Sequence, residues 1–268
     1  MCGADGIPAS FLKYCKKELS TPLYILWRSS LDHGSIPKDL LLVLICPIHK
    51  GGNRSVPKNY RPVALTSHLV KMFERVMRRS LVNQLEGNNY LPAEQHGFRA
   101  KRSTLTQFLS FWDSILDKLE EGVGVDIIYT DFSKTFDKVE TGVLLHKVKE
   151  CKITGKVGLW LSSFLDSNSR QQAVLVDGCV SDLSPVISGV PQGTVLGPVL
   201  FLIHILDIAC GLSEGTRATS FADDTRVQRG VVTSQDCSRL QTDLQCIYNW
   251  AKKVNMHFNS DVFECLRF

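Results

Sequence analysis

Apolar residues recur at helical spacing between Leu69 and Leu85. Leu69, Val70, Phe73, Val76, Met77, Leu81 and Leu85 form one stripe, with Arg75, Arg78 and Arg79 largely off it. Gly87-Asn88-Asn89 ends that helix. A further helix starts near Ser103, with Leu105, Phe108, Leu109, Trp112, Ile115, Leu116 and Leu119 expected on its inner side, and Gly122 and Gly124 close it. Nearer the start, "LSTPLYILWRSSLDHGSIP" predicts a helix capped by Ser20 or Thr21, with Pro22 in its first turn. The apolar run around Leu40–Ile45 predicts a buried strand, and Gly51-Gly52 and Pro57 mark a loop. Beyond Gly124 the pattern changes. Val125–Phe132 is β-branched and aromatic and predicts a strand, followed by helical patterns at Gly142–Lys149 and Val157–Leu165. Ala173–Val176 with Asp177-Gly178 reads as a hairpin. "GVPQGTVLGP" is a Gly/Pro loop opening an apolar helix, "RATSFADDTRVQR" a second hairpin, and Gln235–Lys253 a last amphipathic helix with Leu240, Leu244, Ile247 and Trp250 inward. Helices first and mixed strands and helices afterwards predict an α+β fold.

The 268 residues are 44% hydrophobic and 22% charged, enough for a true core. No apolar run is long enough to span a bilayer. The start, "MCGADGIPAS", has neither the basic nor the apolar region of a signal peptide, so an intracellular protein of nucleus or cytoplasm, with no membrane partner, is expected. Nine cysteines, none spaced as C-x-x-C, suggest reduced thiols and no disulfide-linked partner. Net charge is +4, yet Cys46–Arg102 holds eleven Lys/Arg against three acidic residues, a local +8. Such a segment suits a phosphate backbone or a triphosphate; a solvated basic helix face would have the same composition.

The hairpin tip "SFADDTRV" places Asp223 beside Asp224. A solvated turn would tolerate the pair. A divalent cation would need it. Asp131 ends the predicted strand Val125–Phe132, and if that strand neighbours the hairpin, three carboxylates meet at one sheet edge. Arg226 is the one cation within two residues of any of them. Unneutralised, such a cluster would raise its own pKa values; two Mg²⁺ ions would resolve the repulsion and supply phosphoryl-transfer chemistry. A metal-dependent phosphodiesterase on another fold would account for the carboxylates but not for the ordered segments around them.

Those segments resemble the reverse transcriptase domain of non-LTR (LINE-type, jockey-like) retrotransposons. "DGIPASFLK" and "LDHGSIP" resemble its N-terminal extension, and "NYRPVALTSHLVKMFERVM" and "QHGFRAKRST" its fingers motifs. "TDFSKTFDKV", "SGVPQGTVLGPVLF" and "FADDT" resemble palm motifs A, B and C, and "WAKKVNMHFN" the approach to motif D. The resemblance implies the fingers and palm of a right-hand polymerase, with 1–55 an N-terminal extension, 56–124 fingers and 125–268 palm. It implies an RNA-directed DNA polymerase acting on an RNA template, a DNA primer and dNTP, with two Mg²⁺ ions, or Mn²⁺ in their place. Asp131 and Asp223 become the main metal ligands and Asp224 a weaker third. Phe136 becomes the ring that excludes a ribose 2′-hydroxyl. Gln192 and Gly193 lie beside the incoming nucleotide, Arg61 grips its triphosphate with help from Lys71, and Gly97, Phe98 and Arg99 shape the template path.

Three departures accompany the likeness. Thr135 stands where the family usually has Ala, "IHILDI" replaces Ile-Asn-Asp, and Val262 stands where the family usually has the lysine proposed to protonate pyrophosphate. The chain stops before the thumb and carries no endonuclease domain, so a fragment of an element is expected, with the thumb absent. The alternative is a truncated or co-opted relic that binds nucleic acid without polymerising.

Overall fold

The computed structural model describes residues 3–133, 135–259 and 262–268. In chain order the elements are α1 (Ala9–Tyr14), α2 (Lys16–His33), β1 (Leu42–His49), β2 (Tyr60–Leu65), α3 (His68–Gly87), α4 (Thr104–Glu120), β3 (Gly124–Thr130) and α5 (Thr135–Lys138). There follow α6 (Thr141–Glu150), α7 (Gly155–Leu165), β4 (Gln171–Val176), β5 (Cys179–Val180), β6 (Ser184–Pro185), α8 (Gly197–Ile205), β7 (Thr216–Phe221), β8 (Asp224–Val231), α9 (Ser234–Lys253) and β9 (Glu264–Arg267). They form an α+β fold of two compact units, each discontinuous in sequence. The first joins the chain up to Asn88 with Glu140–Leu200, and the second joins Asn89–Val139 with Phe201–Phe268.

The first unit has a sheet ordered β2-β1-β4-β5, with β6 also on β4. β1 runs antiparallel to β2 and parallel to β4. Pro47 faces Pro62 across β1 and β2, a rung with no N–H on either strand. The β4–β5 turn is Asp177-Gly178, both at positive φ as a two-residue hairpin requires. Aromatic rings build the helical core. Trp27 stacks on Phe73 at 4.7 Å, Trp160 meets Phe73 edge-on at 5.2 Å, and the Trp160 indole N–H donates to Ser30 Oγ at 3.0 Å. Helix α3 starts on the N-cap Ser67, whose Oγ accepts from Leu69 N at 3.1 Å.

The second unit has an antiparallel sheet ordered β7-β8-β3-β9. Phe111 and Ile115 of α4 pack on Val125 and Ile127 of β3, all buried. Each such side chain contributes about 1.5–3 kcal/mol by leaving water. Arg267 of β9 donates to both carboxylate oxygens of Asp126 at 2.5 Å, fixing the β3–β9 register with a two-pronged ion pair. The buried Asp243 of α9 accepts from Ser213 N at 2.8 Å, Ser213 Oγ at 2.6 Å and Thr216 Oγ1 at 2.6 Å, tying the helix to the entry of β7.

Three expectations are corrected. Helix α2 begins at Lys16, so Pro22 lies inside it, and Ser20 returns its hydroxyl to Lys17 O rather than capping. Leu105, Phe108, Leu109, Leu116 and Leu119 of α4 are exposed. That helix is apolar on two sides, and β3 meets the side that carries Phe111 and Ile115, so periodicity alone selects the wrong stripe. Val76, assigned to the inner stripe of α3, is also exposed. Three strands, β2, β6 and β9, were not foreseen. Among the described residues eight cysteines are free thiols, Cys2 lying outside them, and no helix is long and apolar enough to cross a membrane.

Candidate active site

β3 and β8 pair as far as Thr130↔Thr225, so the next step of the register sets Asp131 across from Asp224. β7 and β8 close at Phe221↔Asp224, leaving Ala222-Asp223 as a two-residue turn. All three carboxylates therefore stand at one end of the two central strands. Segment 257–259 runs alongside and holds the backbone at Asp131. Asn259 N donates to Asp131 O at 2.8 Å, Ser133 N donates to His257 O at 2.9 Å, and Phe132 stacks on Phe258 at 4.5 Å. The Thr135 hydroxyl donates to Asp223 Oδ2 at 2.5 Å.

The electrostatics register the crowding. Burial against the sheet end raises the pKa of Asp224, the charges of Asp223 and Asp131 raise it further, and Arg226 opposes them. Arg226 is itself stacked, its guanidinium 5.0 Å from the Phe111 ring and 5.2 Å from that of Tyr129. Among the described residues no three His, Cys, Asp or Glu side chains close into an ion cage. Carboxylates crowded at a rim suit a hard divalent cation that takes few protein ligands and completes its shell with water and substrate phosphates.

Phe136, in α5, is half-buried. It stacks on the buried Phe201 at 4.8 Å, and Phe98 meets it edge-on at 6.2 Å. The ring is thus supported by one aromatic neighbour and bordered by another.

Four further predicted residues, Arg61, Lys71, Gln192 and Gly193, belong to the first unit. Arg61 is exposed on β2, and Lys71 lies half-buried in the first turn of α3. Gln192 and Gly193 sit in the loop before α8. That loop leans on β2: Ala64 N donates to Gln192 O at 2.7 Å. Gly193 has φ +104°, and a Cβ there would lie 2.7 Å from Ala64 O, so glycine is required both by conformation and by space. Sequence reasoning missed what anchors the loop. The buried carboxylate of Glu74 accepts from Val195 N at 2.7 Å and Leu196 N at 2.8 Å. Burial raises its pKa, against the pull of those two N–H groups. The available signal was an acid between Phe73 and Met77 on an apolar stripe.

A sequence profile described as "Reverse transcriptase (RNA-dependent DNA polymerase)" matches residues 48–261. The chain belongs to the reverse transcriptase family. Among curated relatives, this reverse transcriptase domain is 30% identical over 252 residues to the RNA-directed DNA polymerase from mobile element jockey of Drosophila melanogaster, covering 89% of this chain and 27% of that protein. It is 28% identical to the probable RNA-directed DNA polymerase from transposon BS of the same species, over 96% of this chain and 29% of that one. The domain thus spans little more than a quarter of the length of these relatives. Its fold is also that of apo telomerase from Candida tropicalis truncated from its C-terminal domain. That likeness has a TM-score of 0.64 at 12% identity and covers 87% of this chain and 51% of that one.

Proposed function

We propose that this domain carries out RNA-templated addition of deoxynucleotides to a DNA 3′ end. The observation that carries the reading is the convergence of Asp131, Asp223 and Asp224 at one end of β3 and the β7–β8 hairpin. In this reading 56–124 is the fingers and 125–268 the palm, and the triad lies within the second compact unit, 89–139 with 201–268. Two divalent ions, when bound, would activate the primer hydroxyl and neutralise the triphosphate. Asp131 and Asp223 hold them, with Asp224 assisting, and Mg²⁺ is the ion proposed. Phe136 presents its ring to the sugar and excludes a 2′-hydroxyl. Gln192 and Gly193 lie beside the incoming nucleotide, and Arg61 and Lys71 hold the triphosphate, Arg by a planar fork suited to phosphate oxygens.

Primer extension on poly(rA)/oligo(dT) with Mg²⁺ tests the reading. Extension is expected from the wild type and none from Asp223→Asn, because an amide lacks the charge the ion needs. Undiminished extension by that variant would reject the assignment. Nucleic-acid binding with no extension by the wild type would favour a non-polymerising relic, a state consistent with Val262, which has no proton to give.

A further inference from the structure

The turn that carries Asp223 is held from beneath by a side chain outside the predicted site. Segment 94–97 docks beside β7: Ser220 N donates to Glu94 O at 3.1 Å and His96 N to Ser220 O at 2.8 Å. Between them Gln95, only 5% exposed, turns its amide into the hairpin turn. Its Oε1 accepts from Ala222 N at 2.9 Å and from Gly97 N at 2.8 Å, and its Nε2 donates to Ala222 O at 3.3 Å. One amide thus satisfies both backbone groups of Ala222, a buried residue at φ +56° where alanine is disfavoured. The approach is close: a Cβ on Gly97 would lie 2.3 Å from Ala222 N. The clamp is braced in turn. His96 Nδ1 lies 3.0 Å from Thr106 Oγ1 in the first turn of α4, and Arg99 Nη1 donates to Pro92 O at 2.5 Å and Gln95 O at 3.3 Å.

We propose that Gln95 is a positioning residue for the carboxylates, acting through the Ala222 peptide, with Gly97 as the glycine that lets it reach. The proposal rests on the polymerase reading of the triad. Rotation of the Ala222 peptide re-aims Asp223 and Asp224 together, so the amide that pins it sets where their oxygens point. Loss of an outer partner that orients metal ligands typically weakens metal binding about 10–100-fold.

The test compares wild type with Gln95→Met, similar in length but without the amide. Three readouts are taken: hydrogen exchange of the Ala222 amide, Mn²⁺ affinity by electron paramagnetic resonance without nucleotide, and the Mg²⁺ and dNTP dependence of primer extension. Exchange at Ala222 should rise at least about tenfold while the Ile127 amide stays protected, and Mn²⁺ affinity should fall about tenfold or more. The Mg²⁺ requirement should rise with little change in KM for dNTP. Gln95→Asn keeps the amide but withdraws it by one methylene, and reads the same way if the methionine variant does not fold. Unchanged exchange at Ala222 overturns the clamp. Faster exchange with unchanged Mn²⁺ affinity overturns the positioning role and leaves Gln95 as packing. A wild type that binds Mn²⁺ but extends no primer would reject the polymerase reading, while exchange and Mn²⁺ affinity would still decide the role of Gln95.

Discussion

Thr135 supplies Asp223 with a hydrogen bond that alanine could not. Thr135→Ala should free the carboxylate to swing and weaken Mn²⁺ binding by about tenfold, and Thr135→Ser should retain most of it, as read by the same resonance titration. Phe136 stands on Phe201 and is half-buried. Phe136→Ala should admit ribonucleotides in primer extension and should cost less than the ~3–5 kcal/mol of a fully buried Phe→Ala, measured by urea unfolding. Unchanged preference for dNTP over rNTP would leave Phe136 as a packing residue. Val262 follows the described Asn259 closely, its N–H donating to Asn259 O at 3.2 Å, and its side chain is exposed. A lysine there has room to reach outward. In a protein supplied with a family thumb, Val262→Lys should raise the single-turnover rate without shifting nucleotide affinity, since a positioned general acid contributes roughly 10²–10⁴-fold. An unchanged rate would clear Val262 of blame. These residues were legible because each sits in a short, ordered motif. Gln95 and Glu74 also lie inside quoted motifs, yet their roles were not legible, because the backbone N–H groups they bind belong to segments distant in sequence.

Several elements were legible from a turn signal or from a single buried stripe. The β4–β5 turn announced itself through Asp177-Gly178, and α9 through the spacing of Leu240 and Ile247. β2 was not, because "YRPVAL" carries a proline that reads as a strand breaker until Pro47 is found opposite it. Helix α4 misled through excess: with two apolar stripes, the choice between them belongs to β3. The junction of α9 with β7 yields a pH prediction. Burial would raise the Asp243 carboxyl, but donors from Ser213 and Thr216, with the charge of Arg229, hold it below the usual aspartate range. A carboxyl lowered in the folded state contributes stability above its unfolded pKa and loses it as pH falls through the folded value. Asp243→Asn should therefore destabilise by about 1.5–3 kcal/mol near neutral pH. The difference from wild type should shrink in acid, below the ordinary aspartate pKa, as followed by urea denaturation.

At the scale of the molecule, the basic segment seen in the sequence has a surface. Arg75, Arg78 and Arg79 line an open hollow of α3 with Asn83 and Val195. Replacing the three arginines by alanine should weaken RNA binding. It should also lower the slope of log K against log salt by about 0.7–0.9 for each phosphate no longer neutralised, measured by fluorescence anisotropy. A slope that does not move would mean this hollow faces no nucleic-acid backbone. The α+β class was legible from the order of helices and strands. The discontinuous units were not, because segmentation along a sequence assumes that neighbours in the chain remain neighbours in space, whereas β1 pairs with β4 only after the chain has built β3.

That arrangement has a kinetic consequence. β3 lies between β8 and β9, and its partners arrive late: Thr130 meets Thr225 across 95 residues, and Asp126 meets Arg267 across 141. At roughly 5–20 residues per second of synthesis, β3 leaves the ribosome about 5–20 s before β8 can pair with it. During that interval Val125, Ile127 and Ile128, all buried once folded, are offered on a strand with both edges open. The first sheet meanwhile completes from segments that emerge earlier. The sheet end that carries the three carboxylates is therefore the slowest to assemble, and the nascent chain is most prone to aggregate between the synthesis of β3 and that of β8.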